Sequence, residues 1–177
     1  LHRAFPPFVG ETDRQNAKED HHRPKGHHRH LAEGDRPWEE KRHLQHLLFC
    51  PGNPATLMYC HEGPWDRVDQ RLWLMRWDGS EIRPLRYQET PDLAIGHEYW
   101  CADGRHVDYV RHCKGQPTAV CRVDALSGQE TVLTLHGYCH FISDRSGNRI
   151  VGDDADFVTL LDVPTGALKP LVRHNQE

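Results

Sequence analysis

Three stretches of the sequence set histidine among aromatic and apolar residues, beside groups able to assist it: "LMYCHEGPWDRVDQRLW" (57–73), "AIGHEYWCADGRHVDYV" (94–110) and "LHGYCHFISDRSGNRIV" (135–151). His61-Glu62, Arg71, His97-Glu98 and His140 stand out in them. A neutral imidazole titrates close to physiological pH, so it takes up a proton or ligates a metal readily. A neighbouring carboxylate can orient such a ring. Arginine offers a fork of donors that pairs a carboxylate in two-pronged fashion. The same residue types also serve as plain hydrogen-bonded structural groups, because buried polar atoms are normally satisfied. For one isolated histidine the structural role is the commoner. Two histidines, His97 and His140, occupy matching places in a repeat, and that shifts the balance toward a shared site. His106, His112 and His136 have no such placement and read as surface or turn residues.

The elements that must position these residues are short apolar runs from residue 46 onward. Turn dipeptides separate them, in "WDGS" (77–80), "ADGR" (102–105), "LSGQ" (126–129), "RSGN" (145–148) and "PTGA" (164–167). Such pairs supply the positive φ that tight hairpins need. No amphipathic helix is evident, so the expected class is all-β. The order strand, glycine turn, strand, strand, glycine turn, strand occurs three times. It begins at "LFCPGNPATLMYC", at "EYWCADGRHVDYV" and at "HFISDRSGNRIVGDD". Four strands per unit at this spacing point to blades of a β-propeller. A β-sandwich would give similar strands but not the repeated order of turns. His97 is expected just before the first strand of the second unit, and His140 at the matching place in the third. His61, Glu62 and Arg71 are expected in the long connection between strands two and three of the first unit. Three blades do not close a ring, which takes about four or more, so an incomplete array is expected.

The chain has 177 residues, a net charge of −4 and a hydrophobic content of 37%, low for a fully packed domain. Residues 1–37 are dense in charge and histidine, including His21, His22, His27, His28 and His30. They read as a disordered leader, although neutral imidazoles there could bind a metal adventitiously. Residues 38–177 then form the partial propeller. No clustered basic face suggests a nucleic-acid partner, and no apolar run reaches the roughly 20 residues of a membrane span. Six cysteines contain no C-x-x-C pair; they read as small buried hydrophobes, which fits a reducing compartment. Nothing in the sequence sets an oligomeric state.

"MYCHEGPWDRVDQRLWLMRWDGS" resembles the C-H-E-G-P stretch of the oligogalacturonate lyases, polysaccharide lyase family 22. "GHEYWCADGRHVDYV" is similar to that family's H-E-F-W-x-x-D-G strand pair, "YCHFISDRSGNRIVGDD" to its C-S-H-x-x-S-x-x-D-G segment, and "LVRHN" to its R/Q-H-N. The likeness covers about residues 38–175, in order and with similar spacing. It implies a seven-bladed propeller that cleaves short galacturonate oligomers from pectin by β-elimination, in the cytoplasm, with a manganese ion. His97 matches the family's general base, Arg71 an active-site arginine and His140 one metal-binding histidine. His61 and Glu62, in the C-H-E-G-P match, are expected to bind substrate. The family's other metal ligands lie in a Q-x-T-H-P-H stretch that these residues do not contain. An incomplete copy is therefore expected, poorly soluble and without measurable activity on its own. The alternative is a non-catalytic propeller that docks other proteins, which has no need of this histidine and arginine set.

Overall fold

In the computed structural model, residues 43–63, 68, 70–90 and 92–174 are described. The leader expected over residues 1–37 lies outside the described residues. Twelve strands follow in order: β1 (His43–Cys50), β2 (Asn53–Glu62), β3 (Leu72–Arg76), β4 (Arg83–Pro84), β5 (Leu93–Trp100), β6 (His106–Cys113), β7 (Ala119–Asp124), β8 (Glu130–Thr134), β9 (His140–Ser143), β10 (Arg149–Asp153), β11 (Phe157–Asp162) and β12 (Ala167–Arg173). They make three four-stranded sheets, β1–β4, β5–β8 and β9–β12, each with sequential neighbours paired. All pairings are antiparallel. This is the all-β, three-blade arrangement read from the turn repeat. Among the described residues no helix is long and apolar enough to cross a membrane.

Side-chain alternation along the middle blade explains why it is buried on both faces. Val107, Tyr109, Cys121 and Val123 meet Met58, Cys60, Leu72 and Leu74 of the first blade. The intervening residues Val110 and Val120 pack instead with Tyr138, Ile150 and Leu161 of the third. The first strands of successive blades are neighbours, β1 beside β5 and β5 beside β9. Trp100 Nε1 donates to the Leu48 carbonyl at 3.2 Å across the first of these seams. Close approach there also fixes a glycine. A Cβ on Gly104, at φ 65°, would stand 2.0 Å from the Pro51 carbonyl oxygen. Gly152 in β10 is set by contact alone, since a Cβ there would come within 2.5 Å of the Tyr138 ring.

A polar network joins the second and third blades. Asp108, with no exposed surface, receives Arg122 through Nε at 2.7 Å and Nη2 at 2.9 Å, and the Tyr99 hydroxyl at 3.0 Å. Arg122 Nη2 also donates to the Gly147 carbonyl at 3.1 Å. Removing one partner of a buried pair strands the other charge, which costs about 3–5 kcal/mol. Asp108→Ala is therefore expected to lower unfolding stability by about that much, measured by urea denaturation. Asp108→Asn, which keeps an acceptor, is expected to lose less.

The six thiols behave largely as expected of small hydrophobes. Cys50, Cys60, Cys101 and Cys121 are buried, Cys113 is half-buried and Cys139 is exposed, all unbridged. Burial, with nearby carboxylates adding, pushes Cys101 and Cys121 up to about 12, so both stay protonated.

Candidate active site

His97 lies inside β5 rather than ahead of it. Gly96 pairs with Val110 and Tyr99 with Asp108, so His97 and Glu98 together oppose Tyr109 alone. This is a β-bulge, and His97 carries its left-handed residue at φ 57°. For a residue with a Cβ that conformation costs roughly 1–3 kcal/mol and tends to be kept where function needs it. The bulge resolves the oddity of a polar pair in an apolar strand. It turns His97 out to solvent while Glu98, next along, is buried.

His140 opens β9, as expected, on the neighbouring blade. The His97 and His140 rings meet edge to face with centroids 5.2 Å apart. Partial desolvation lowers the His97 pKa below its ordinary value, and the charges of His140, His112 and His46 act the same way; Glu98 opposes them. At neutral pH His97 is thus an unprotonated imidazole, the form a general base requires.

His61 and Glu62 sit at the end of β2, not in the connection that follows it. The bulk of β2 is longer than the turn signals suggested, because its register with β1 runs to His43 opposite Glu62. Arg71 stands immediately before β3 and is 2% exposed. Its Nη2 donates to Glu62 Oε2 at 2.6 Å and its Nε to the Ile95 carbonyl of β5 at 2.7 Å. Burial alone would raise the Glu62 carboxyl, but the Arg71 guanidinium outweighs it and holds Glu62 below the usual range. Arg71 therefore ties the first blade to the strand bearing His97. The backbone bond from the His61 amide to the Arg71 carbonyl, 2.7 Å, closes the same corner.

Around His140 the ligand atoms of Cys139, His140 and Asp153 all lie within 4.8 Å of one another. Asp153 opposes His140 across the β9–β10 pair, so strand register brings them together. Its Oδ1 accepts the His140 amide at 2.7 Å and stands 3.5 Å from His140 Nδ1. The sequence reading did not single out Cys139 or Asp153. The signal available was the hairpin centred on "RSGN", whose register pairs 140 with 153. Surface depressions among the described residues include one walled by Pro51, Trp100 and Arg145 and one by Arg83, Tyr87 and Leu126. None of His61, Glu62, Arg71, His97 or His140 lines either of them.

Residues 31–166 match the sequence family described as oligogalacturonate lyase. The chain belongs to that family. The oligogalacturonate lyase of Dickeya dadantii (strain 3937) is 35% identical over 117 residues, covering 65% of this chain and 30% of that protein. An oligogalacturonide lyase of Pectobacterium atrosepticum is 32% identical over 120 residues, covering 67% of this chain and 31% of that protein. The chain thus spans about a third of the length of the curated relatives it matches. Among solved structures, an oligogalacturonate lyase in complex with manganese superposes with a TM-score of 0.69 at 30% identity, over 75% of this chain and 37% of that one. The oligogalacturonate lyase of Vibrio parahaemolyticus gives the same TM-score at 29% identity, over 76% of this chain and 38% of that one. The three meander sheets are therefore oligogalacturonate lyase blades.

Proposed function

We propose that this chain carries the base-side half of a lyase centre that cleaves short galacturonate oligomers by β-elimination. The observation that carries this reading is the approach of His97 and His140 across a blade seam, with the Arg71–Glu62 pair tied to the same strand β5 through the Ile95 carbonyl. In the reaction the C5 hydrogen leaves as a proton, its electron pair forms the C4–C5 double bond, and the C4–O bond breaks. The C5 hydrogen is acidic only because a carboxylate is attached to the same carbon. Charge accumulates on that carboxylate as the proton departs, so fixed cations near it lower the barrier. His97, neutral and exposed on its bulge, is suited to take the C5 proton. Arg71 orders the corner occupied by His61 and Glu62, which face the substrate chain, and its guanidinium is the cation of that corner. A net charge of −4 does nothing to attract a polyanion, so binding depends on such local groups.

His140 and Asp153 offer the imidazole and carboxylate donors that suit a manganese ion, while the Cys139 thiol is softer than manganese prefers. We therefore assign metal binding to His140 with Asp153. When bound there, a divalent cation supplies positive charge for the developing enolate. The unbridged thiols fit a reducing compartment, and we place the protein in the cytoplasm.

His140→Ala is expected to weaken manganese affinity, with excess manganese restoring part of the activity; calorimetric titration of the metal checks the first and turnover the second. The lyase reading itself is tested by incubating the full-length protein with trigalacturonate and manganese and following ultraviolet absorbance of the unsaturated uronate. Absorbance that rises with wild-type protein supports the reading. A flat trace from folded, metal-loaded protein contradicts it.

A further inference from the structure

The bulge that presents His97 has a counterpart one blade earlier. Gln45 pairs with Cys60 and Leu48 with Met58, leaving His46 and Leu47 opposite Tyr59 alone. His46 sits there at φ 50°, as His97 sits opposite Tyr109 at φ 57°. Two successive inner strands thus spend the same unfavourable backbone conformation on a histidine. The two sites are also wired together. His46 Nδ1 lies 2.6 Å from Oε1 of Glu98, the residue after His97, across the β1–β5 seam. The Glu98 side chain is 1% exposed, and His46 is 46% exposed. The other Glu98 oxygen is buried with no hydrogen-bond partner among the described residues, so His46 is where this carboxylate directs its charge. With Nδ1 committed to Glu98, the ring of His46 keeps Nε2 for a ligand. His46 lies within electrostatic reach of both His97 and Glu62.

We propose that His46 is the proton donor to the leaving oxygen, with Glu98 as its positioning residue; this rests on the lyase reading above. The ring chemistry requires a second group. In a galacturonate chair both the C5 hydrogen and the C4 oxygen are axial, on opposite faces, so one imidazole cannot serve both. His97 takes the C5 proton on one face. The C5–H electron pair becomes the C4–C5 double bond. The C4–O pair leaves on the oxygen, which takes a proton from Nε2 of the His46 imidazolium. His97 ends protonated and His46 neutral, and solvent restores both. A buried carboxylate behind Nδ1 holds the imidazole in orientation, the same relation that orients histidine in hydrolase triads.

The test uses the full-length protein with manganese and trigalacturonate in deuterium oxide, reading unsaturated product and deuterium at C5 of recovered substrate. His46→Gln keeps an amide that can donate to Glu98 but has no proton to give. Its turnover is expected to fall about 10²–10³-fold, while C5 deuterium accumulates faster than product forms. Glu98→Gln is expected to lower turnover roughly tenfold or more with KM unchanged, again with exchange retained. His97→Ala is expected to lose exchange and elimination together. His46→Gln at near wild-type turnover overturns the assignment, as does loss of exchange and elimination in equal measure by a folded His46→Gln protein. Wild-type protein that neither exchanges nor eliminates overturns the lyase reading, and the role of His46 with it.

Discussion

His97→Ala in the full-length protein is expected to lower turnover by about 10²–10⁴-fold, the range typical of losing a general base. Its folding should change little. The residue is exposed, and among the described residues its ring packs edge to face on His140, so alanine removes little buried surface. Alanine at φ 57° gives up only the modest preference that histidine has for that region. Glycine at the same position should relieve the backbone strain, so His97→Gly is expected to be equally inactive but more stable than His97→Ala by a few tenths of a kcal/mol to about 1 kcal/mol. Steady-state turnover and urea midpoints, measured on both variants, check the two halves separately. A pair of variants that lost stability and activity in parallel would instead make His97 a structural residue.

Arg71 is expected to behave in the opposite way. Its guanidinium is buried, bridging the Glu62 carboxylate and the Ile95 carbonyl on two different blades. Arg71→Ala strands Glu62 and removes the tie to β5. A loss of about 3 kcal/mol is expected, the low end for a broken buried pair because Glu62 keeps 23% of its side chain in water. Arg71→Lys should not rescue it, since an ammonium cannot span both acceptors in one plane. Activity then falls with the fold and with the position of His97, which Ile95 carries. The comparison to make is Glu62→Gln, which keeps an acceptor for Arg71. It should retain most of the stability and lose mainly substrate affinity, seen as a raised KM.

The blades were legible in the sequence because glycine turns impose a conformation that few other residues adopt. Gly52, Gly79, Gly104, Gly128, Gly147 and Gly166 all have positive φ in the turns that close these hairpins. Alternation then fixed which residues face which blade, as at Tyr109 and Val110. The meeting of His97 with His140 followed from repeat position. What the sequence hid were the bulges. His46 and His97 take a conformation usually left to glycine, so neither announces itself as a break in the strand, and His97 was read as preceding β5. His46 escaped notice for a further reason. Its partner Glu98 lies on another blade, 52 residues away, and only strand packing reveals the pair. Asp153 joined His140 through hairpin register, which turn identity sets but residue type does not show.

The most direct measurement is mass spectrometry of the products from trigalacturonate cleaved by the full-length protein with manganese. β-Elimination divides the substrate without adding water, so the product masses should sum to that of the substrate, and one product should carry the C4–C5 double bond. Two saturated products whose masses sum to substrate plus one water would show hydrolysis, and would contradict a centre built on His97 as the base that removes the C5 proton.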